Sequence, residues 1–455
     1  MSSIKLAIIG GGSMYTAGLL EALLSKSAGP LRGAEVTLMD VDASALERIQ
    51  RYGEHLLGVT GADLTLSATT DRREALSAAD FVLTTFRVGG FDTLAQDEEI
   101  PLRFGMLGQE TTGVGGTFMA LRTIPVMLEI CRDMERLCPS AWLINYTNPT
   151  NFVADAVRRR SSIRCLSLCD NYVQLPPLFA FLLDVDEAEI SFQSAGVNHL
   201  AWVLDLRVQG EPGYPRLRER LAEIDTSALG QPDPDVDLSR TFKPFIDRYY
   251  LPWAVELFET FGYFPCGPSY HRYYYAHDDM VCEMQQEDYV GLSKHYRWQS
   301  DWFFDKMNKA IASGRPPTPE TRLGFYGHGE LAVDVIAAIA AGAHQAFVVN
   351  TPNQGAIANL PFDAIVEVPA LVDREGTQAF SLGNYPKELV GMVHAQILHQ
   401  ELVVESALSG DRNQVLVALL ASPLVNSLKK ARQCLDAMFE AQADWLPQFD
   451  AEVRK

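Results

Sequence analysis

The chain has 455 residues, and its 38 basic and 58 acidic side chains give a formal net charge of −20. So large a negative charge repels nucleic acid and anionic membrane surfaces, and the sequence predicts neither as a partner. The length predicts about two or three domains. Seven scattered cysteines without a C-x-x-C pair argue against a disulfide framework and a structural zinc site, and they indicate a cytoplasmic protein.

The N-terminus has the pattern of a strand, a glycine-rich turn and a helix. The apolar run Ile4–Ile9 leads into the turn, and the amphipathic run Ala17–Leu24 follows it. Such glycines let the backbone approach a pyrophosphate at a helix N-terminus, which is typical of dinucleotide-binding folds. Tyr15 takes the place of the third glycine of the usual pattern, and an ordinary tight turn is the alternative. The candidate cofactor-binding residues of the turn are Gly10, Gly11, Gly12 and Ser13.

Asp40 directly follows the second predicted strand, Glu35–Met39. An acidic side chain in this place can accept hydrogen bonds from the ribose hydroxyls of adenosine, and it disfavours the extra phosphate of NADP. The sequence therefore predicts NAD as the cofactor. A solvated strand end is the alternative interpretation of Asp40.

Strand and helix patterns continue to alternate after Asp40. Strands are predicted at Phe81–Phe86 and Ala141–Asn145, and a helix at Phe118–Leu137, in which Pro125 should cause a kink or mark a later start. This alternation predicts an α/β fold with an N-terminal Rossmann-like, doubly wound parallel sheet, which we assign to residues 1–195. Ligands of such sheets bind beyond the carboxyl ends of the strands.

The second half of the chain differs in composition. A stretch rich in Pro, Gly and Asp, Gln209–Ser239, is predicted to be a surface excursion, and aromatic residues are dense between residues 249 and 304. Leu389–Ser406 and Val425–Trp445 have helical patterns. We assign residues 196–455 to a C-terminal α+β domain for substrate, metal and subunit contacts.

Two polar motifs are candidates for ligand binding. Asn145–Pro149 reads NYTNP after a predicted strand, and Asn148 is placed to hydrogen-bond a sugar or the nicotinamide, with an Asn-Pro turn as the alternative. Gly105–Gly116 reads GMLGQETTGVGG, a polar loop more specialised than a helix cap requires.

Cys169 and His199 each follow a strand-like run. A thiolate and an imidazole at successive strand ends can together hold a divalent metal, although each residue alone is more often structural. Tyr270 lies in the aromatic string Pro265–Tyr275 and is a candidate acid–base group. A packed edge strand is the alternative for that string.

Several strings, taken in order and spacing, resemble glycoside hydrolase family 4. They span essentially the whole chain: GGGSMYT, RVGG at Arg87, GQETTGVGG, NYTNP, CDN at Cys169, GVNHL, SYHRYYY and NQGAIANLP at Asn353. The resemblance implies a glycosidase that uses bound NAD+ to oxidise carbon 3 of the sugar, removes the proton of carbon 2, eliminates the glycosidic oxygen and finally returns the hydride. It also implies a divalent metal, usually Mn2+, and a homodimer or homotetramer.

The resemblance also assigns roles to single residues. It makes Cys169 and His199 the metal ligands, Tyr270 the base at carbon 2, and Asp170 the acid that protonates the leaving oxygen. Since a phenol has a reference pKa of about 10, nearby positive charge must activate Tyr270. The NAD-binding residues would be Asp40 and those of the glycine turn.

The substrate-binding residues implied by the resemblance are Arg87, Asn148 and Asn198. The Cys-Asp pair at 169–170 resembles the α-specific 6-phosphoglucosidases, whereas GQETTGVGG resembles the 6-phospho-β-glucosidases. The anomer of the substrate therefore stays open, with α slightly favoured.

The chain departs from the phosphate-specific members of this family after Met280. Those members usually carry an arginine there for the 6-phosphate, whereas Val281–Tyr289 contains no Lys or Arg. Arg87, Ser13 or Arg297 would have to supply the donors that a phosphate needs. The sequence therefore leaves two substrates open, a 6-phospho-glucoside and an unphosphorylated or uronic glycoside.

Functions of two other classes remain. The glycine turn, Asp40 and Arg87 also fit an NAD-dependent 2-hydroxy-acid dehydrogenase, which would leave Cys169 and His199 unexplained. A non-catalytic nucleotide sensor would bind NAD without turning over glycosides, and the joint presence of Cys169, His199 and Tyr270 argues against it.

Overall fold

The computed structural model describes residues 3–223, 251–286, 291–318, 322–323 and 329–450. The described strands are β1 (Lys5–Ile9), β2 (Ala34–Met39), β3 (Leu64–Thr69), β4 (Phe81–Thr84), β5 (Trp142–Asn145), β6 (Arg164–Ser167), β7 (Ile190–Val197), β8 (Leu200–Val208), β9 (Glu211–Pro212), β10 (Phe264–Cys266), β11 (Gln345–Pro352), β12 (Ile365–Val372) and β13 (Thr377–Ala379).

The described α-helices are α1 (Tyr15–Ser25), α2 (Ala43–Thr60), α3 (Arg72–Leu76), α4 (Gly90–Arg103), α5 (Gly113–Leu137), α6 (Thr150–Arg160), α7 (Leu175–Leu183), α8 (Tyr214–Ala222), α9 (Leu251–Phe261), α10 (Pro268–Tyr275), α11 (His277–Met284), α12 (Leu292–Ser313), α13 (Glu330–Ala341), α14 (Lys387–Ser409), α15 (Arg412–Ala421) and α16 (Leu428–Ala441). The part of the predicted excursion Gln209–Ser239 beyond residue 223 lies outside the described residues.

Six parallel strands form one half of the sheet, in the order β3-β2-β1-β4-β5-β6. This is the order of a doubly wound dinucleotide-binding fold, and it reverses between β1 and β4. The predicted strands at Glu35–Met39, Phe81–Phe86 and Ala141–Asn145 correspond to β2, β4 and β5. The predicted fold class is confirmed.

Antiparallel strands extend the same sheet beyond β6. The order continues β11-β12-β7-β8-β10, with β13 paired to β12 and β9 paired to β8. One sheet therefore runs across the predicted boundary between residues 195 and 196, and the division into two domains stays a prediction.

Helix α5 begins at Gly113 and passes through Pro125 without interruption, so the later start suggested by that proline is wrong. A proline lacks the amide that would bind the carbonyl four residues earlier, here that of Leu121. The side-chain amide of Gln448 donates to this carbonyl at 2.8 Å and replaces the missing bond. A contact with the far C-terminus thus preserves the helix.

By length and composition, α5 is also apolar enough to cross a membrane, but 83% of its most apolar 18-residue stretch is buried inside the protein. Its side chains join those of α14, α15 and α16 in a shared core. The ring of Phe118 meets that of Phe439 edge to face, with 5.2 Å between the ring centres. Helix α5 is therefore a core helix that ties the C-terminal helices to the parallel half of the sheet.

Replacing Phe118 by alanine should destabilise the fold. The side chain is fully buried, and its loss leaves a cavity that costs about 3–5 kcal/mol of unfolding free energy. Urea unfolding followed by circular dichroism should show a clearly lower midpoint. The control is Phe362→Ala, because Phe362 is 64% exposed. Equal midpoints for both variants would contradict this account of the core.

Candidate active site

The carboxyl ends of the parallel strands bring most of the predicted site residues to one edge of the sheet. The glycine turn follows β1, Asp40 follows β2, Arg87 lies just beyond β4, and Asn148 lies beyond β5. Cys169 and Asp170 follow β6, the next strand in the sheet. The edge therefore has the place expected for ligand binding in a doubly wound sheet.

Gly10 holds the turn tightly between two strands. It has a φ of +90°, and a Cβ atom here would clash with the carbonyl oxygen of Thr85, the residue directly after β4. The amides of Gly10 and Gly11 both donate to the Met39 carbonyl at the end of β2, at 2.9 and 2.8 Å. Only glycine fits at position 10, because both the φ angle and the space exclude a side chain.

Asp40 contacts the same turn from the end of β2. Its carboxylate accepts hydrogen bonds from the Gly12 amide at 2.9 Å and from the Asp42 amide at 3.0 Å. The Ser13 hydroxyl accepts from the Tyr15 amide at 3.3 Å. Asp40 and Ser13 therefore belong to the turn itself, while their roles towards a ligand stay predictions.

Arg87 pairs with Glu110, a carboxylate that the sequence analysis did not select for the site. The Arg87 Nη2 atom lies 2.5 Å from the Glu110 Oε2 atom, and the two side chains are only 17% and 5% exposed. Asn148 Nδ2 donates to Glu110 Oε1 at 3.0 Å, and the Tyr296 hydroxyl donates to the same oxygen at 3.4 Å. Glu110 thus joins two predicted substrate-binding residues.

The sequence contained only part of the information needed to find these neighbours. Glu110 lies within the unusually polar string GQETTGVGG, but that pattern does not indicate Arg87 as its partner. Tyr296 was one of many aromatic residues between positions 249 and 304. Its ring centre lies 5.6 Å from the Arg87 guanidinium, a contact between segments far apart in the chain.

Asn198 and Glu367 form a buried group near Cys169. Asn198 Nδ2 donates to Glu367 Oε2 at 3.0 Å, and Asn350 Nδ2 donates to the same oxygen at 3.2 Å. Burial raises the pKa of Glu367 above its usual value. Burial also raises the pKa of the Cys169 thiol well above its usual range, with a further rise from Glu367. The thiol is therefore protonated at neutral pH.

His199 lies in the turn between β7 and β8 and stacks on Tyr270. The two rings are 3.7 Å apart at their centres and 13° from parallel, and His199 has a φ of +64°. Burial lowers the pKa of His199 to about 4, so its imidazole is neutral at pH 7. Burial, followed by the Glu110 charge, raises the pKa of Tyr270 well above its usual value. These surroundings keep the phenol protonated.

Asp170 has a tyrosine beside it. The Tyr146 hydroxyl donates to Asp170 Oδ1 at 2.9 Å and thereby orients the carboxyl group. Tyr146 comes from the NYTNP motif after β5, and Asp170 follows β6, so two adjacent strands supply this pair.

Cys169 and His199 would need further ligands, from a bound molecule or water, to complete the site of a divalent cation. Within the described ranges, no three His, Cys, Asp or Glu side chains come together as a metal site. The neutral His199 imidazole is nevertheless suited to a metal, because its buried Nδ1 atom has no hydrogen-bond partner among the described residues. A cation would also favour loss of the Cys169 proton. The assignment of both residues as ligands stays a prediction.

Arg297, a candidate phosphate donor, is engaged elsewhere. Its Nη2 atom lies 2.5 Å from Asp92 Oδ1, and the side chain is 47% exposed. The charge of Arg297 is thus balanced by Asp92 at the surface of α12. Of the two candidate arginines for a phosphate, Arg87 is the one that lies at the carboxyl edge of the sheet.

Comparison with protein families gives two adjoining matches. The family model for "Family 4 glycosyl hydrolase" matches residues 5–184, and the model for "Family 4 glycosyl hydrolase C-terminal domain" matches residues 194–425. A curated relative from Bacillus subtilis, a "Probable 6-phospho-beta-glucosidase", is 35% identical over 98% of this chain and 98% of its own length.

Solved structures of similar proteins cover the same extent. A 6-phospho-alpha-glucosidase from gut microorganisms, in complex with NAD and Mn2+, matches with a TM-score of 0.87 and 28% identity over 99% of this chain and all of its own. A second 6-phospho-alpha-glucosidase structure, in complex with NAD and glucose-6-phosphate, matches with a TM-score of 0.87 and 26% identity over 98% of this chain and 100% of that one.

Proposed function

The chain belongs to family 4 of the glycosyl hydrolases, as its motifs predicted, and from this premise we propose that it hydrolyses 6-phospho-glucosides with bound NAD and a divalent cation. One observation carries the proposal: the similarity to 6-phospho-glucosidases extends over 98% of both chains in the Bacillus subtilis relative. The related structures with NAD, Mn2+ and glucose-6-phosphate support the choice of cofactors and substrate class.

Different residues would bind the cofactor, bind the metal and transfer protons. The glycine turn and Asp40 would hold NAD, which supplies a reversible hydride acceptor, while Cys169 and His199 would hold Mn2+, which supplies a Lewis acid. Tyr270 would take the proton from carbon 2 of the sugar. Asp170, oriented by Tyr146, would deliver a proton to the leaving oxygen.

Arg87 and Asn148 would contact the sugar or its phosphate through the polar atoms that do not bond to Glu110. An arginine carries five N–H donors, so one ion pair does not exhaust its capacity. Asn198 is buried and donates to Glu367 close to Cys169, which suits it to a supporting role at that end of the site.

The decisive measurement is hydrolysis in D2O with NAD+, Mn2+ and a thiol reductant. Nitrophenyl 6-phospho-α- and β-glucosides should release glucose 6-phosphate that carries deuterium at carbon 2, without net NADH, because the hydride returns within each turnover. Asp170 leads us to expect faster hydrolysis of the α anomer. Release of the sugar without deuterium would contradict the elimination mechanism.

Unphosphorylated glycosides are the second candidate substrates. Arg87 and Arg297, the two candidate phosphate-binding arginines, are already paired with Glu110 and Asp92, and this pairing favours a substrate without a phosphate. Nitrophenyl glucosides and glucuronides without phosphate belong in the same assay. Turnover of these alone would favour this candidate over the first. Net NADH formation from a 2-hydroxy acid would instead favour the dehydrogenase function.

Gly10→Ala should weaken NAD binding. The alanine Cβ would clash with the Thr85 carbonyl at a positive φ, and such strain corresponds to a loss of about ten- to hundredfold in affinity. Titration with NADH, followed by its fluorescence, measures the affinity. Gly58→Ala is the matched control, because nothing lies within 4 Å of the position its Cβ would take in α2. Unchanged NADH affinity in Gly10→Ala would contradict the assignment of the turn.

Cys169→Ser should weaken Mn2+ binding and remove its pH dependence. The pKa of the thiol is raised, so a proton must leave as the metal binds, and affinity in the unaltered protein should rise by up to about tenfold per pH unit between pH 6 and 8. His199, with its pKa lowered to about 4, adds no slope there. Calorimetric titration measures both quantities, and Cys282→Ser at an exposed cysteine is the control. A serine variant with the original affinity and slope would refute Cys169 as a ligand.

We also propose a cytoplasmic homodimer or homotetramer. All seven cysteines are free in the structure, which suits a reducing compartment. Exposed apolar side chains on α14 and α15, at Leu398, Val417 and Leu420, offer surface for a second subunit.

A further inference from the structure

A second buried ion pair lies next to Arg87 and Glu110. Arg122 on α5 and Asp97 on α4 are both fully buried, and the guanidinium binds the carboxylate with two bonds, Nη1 to Oδ1 at 3.0 Å and Nη2 to Oδ2 at 2.6 Å. Gln442, after α16, accepts from Arg122 Nη1 and donates to Asp97 Oδ1 at 2.8 Å. The group therefore connects the neighbouring helices α4 and α5 to Gln442, which follows α16 far along the chain.

Two contacts link Arg122 to Arg87. Arg122 Nε donates to the carbonyl of Val88, the residue after Arg87, at 3.4 Å. The sulfur of Met119 lies 3.6 Å from Arg87 Nη1 and 3.8 Å from Arg122 Nη2, so the two guanidinium groups flank one side chain. Arg122 thus contacts the backbone of the Arg87 segment directly and the Arg87 side chain through Met119.

Asp97 supports the partner of Arg87 through the backbone. A Cβ on Gly108 would clash with the Asp97 carbonyl oxygen, and one on Gly115 would lie 2.8 Å from it. Gly108 lies in the loop before α5 and Gly115 in the first turn of α5, on either side of Glu110, so this part of the chain packs directly on α4 at Asp97. Pro101 lacks the amide that would otherwise bond this carbonyl within the helix.

Such a pair needs an explanation beyond stability. Removing two charges from water costs nearly as much as their attraction returns, and apolar side chains of similar volume are often equally stable. We propose that Arg122 and Asp97 are positioning residues, which hold Arg87 and Glu110 in register so that Arg87 meets the anionic group of the substrate. This inference rests on the proposed function, in which Arg87 would contact the sugar or its phosphate.

The first test is Arg122→Lys, which keeps the charge but loses the two-bond geometry and the donor to Val88. KM for the nitrophenyl 6-phospho-glucoside should rise about tenfold, as expected for a lost charged hydrogen bond, while kcat changes little. The matched control is Arg72→Lys, which alters the Arg72–Asp133 pair, with its 2.5 Å contact, between α3 and α5. The control should leave both constants unchanged.

The second test asks whether Arg122 acts through Arg87. In an Arg87→Met background, Arg122→Lys should raise KM no further, because the group that it positions is gone. A purely structural role predicts the same rise in KM in both backgrounds, and that outcome would overturn the proposal.

Met119→Leu is a second variant, which tests the proposal even if Arg122→Lys does not fold. The substitution is close in volume, and loss of the shared sulfur should raise KM about threefold in the Arg87 protein but not in the Arg87→Met protein. If neither Arg122→Lys nor Met119→Leu alters KM, the proposal is wrong. If the unaltered enzyme accepts only unphosphorylated glycosides, the proposed function fails, and the same cycle on the accepted glycoside still decides the role of Arg122.

Discussion

The site depends on the close approach of the β1 turn to β4. Strand order reverses between these two neighbours, and the crevice of a doubly wound sheet opens at such a point. Gly10 closes the distance, since no side chain fits between its Cα and the Thr85 carbonyl. That contact places the backbone amides of the turn beside the segment that carries Arg87. The turn proposed to hold NAD and the arginine proposed to bind the sugar or its phosphate are therefore parts of one packing arrangement rather than two separate sites.

The same packing removes water from the groups that carry the chemistry, with different effects on each. Burial keeps the His199 imidazole neutral, as a metal ligand must be, yet it raises the pKa values of Cys169 and Tyr270 and keeps both protonated. Glu110 adds to the effect on Tyr270, because a neighbouring negative charge disfavours a phenolate. In the proposed mechanism, positive charge from a bound cation would be needed for the thiol of Cys169 to ligate and for the phenol of Tyr270 to act as a base. The protein supplies the burial, and the proposed metal would supply the charge.

The sequence predicted the parallel half of the fold and the placement of the motifs well, because both depend on local patterns. An apolar run followed by polar or small residues indicates where a buried strand ends, and parallel strands end at a shared edge. The later start that Pro125 suggested for α5 was wrong because the partner that compensates for this proline is Gln448, 323 residues further on in the printed sequence. Glu110, Tyr296 and Arg122 were missed for the same reason, since their importance lies in contacts between distant segments.

The pairing of Arg87 with Glu110 limits how an anionic sugar can bind. If a phosphate completely replaced Glu110 as the partner of Arg87, the Glu110 carboxylate would lose its ion pair and face the incoming anion. This loss is costly because the Glu110 side chain is only 5% exposed to solvent. Sharing avoids this, because the guanidinium can keep Nη2 on Glu110 and present other N–H groups to the ligand. A lysine could not divide its single charge between two anions in this planar way. The Arg87–Glu110 pair therefore suits a ligand that binds beside Glu110 without displacing it, and the positioning role proposed for Arg122 and Asp97 would keep the pair in place as that ligand binds.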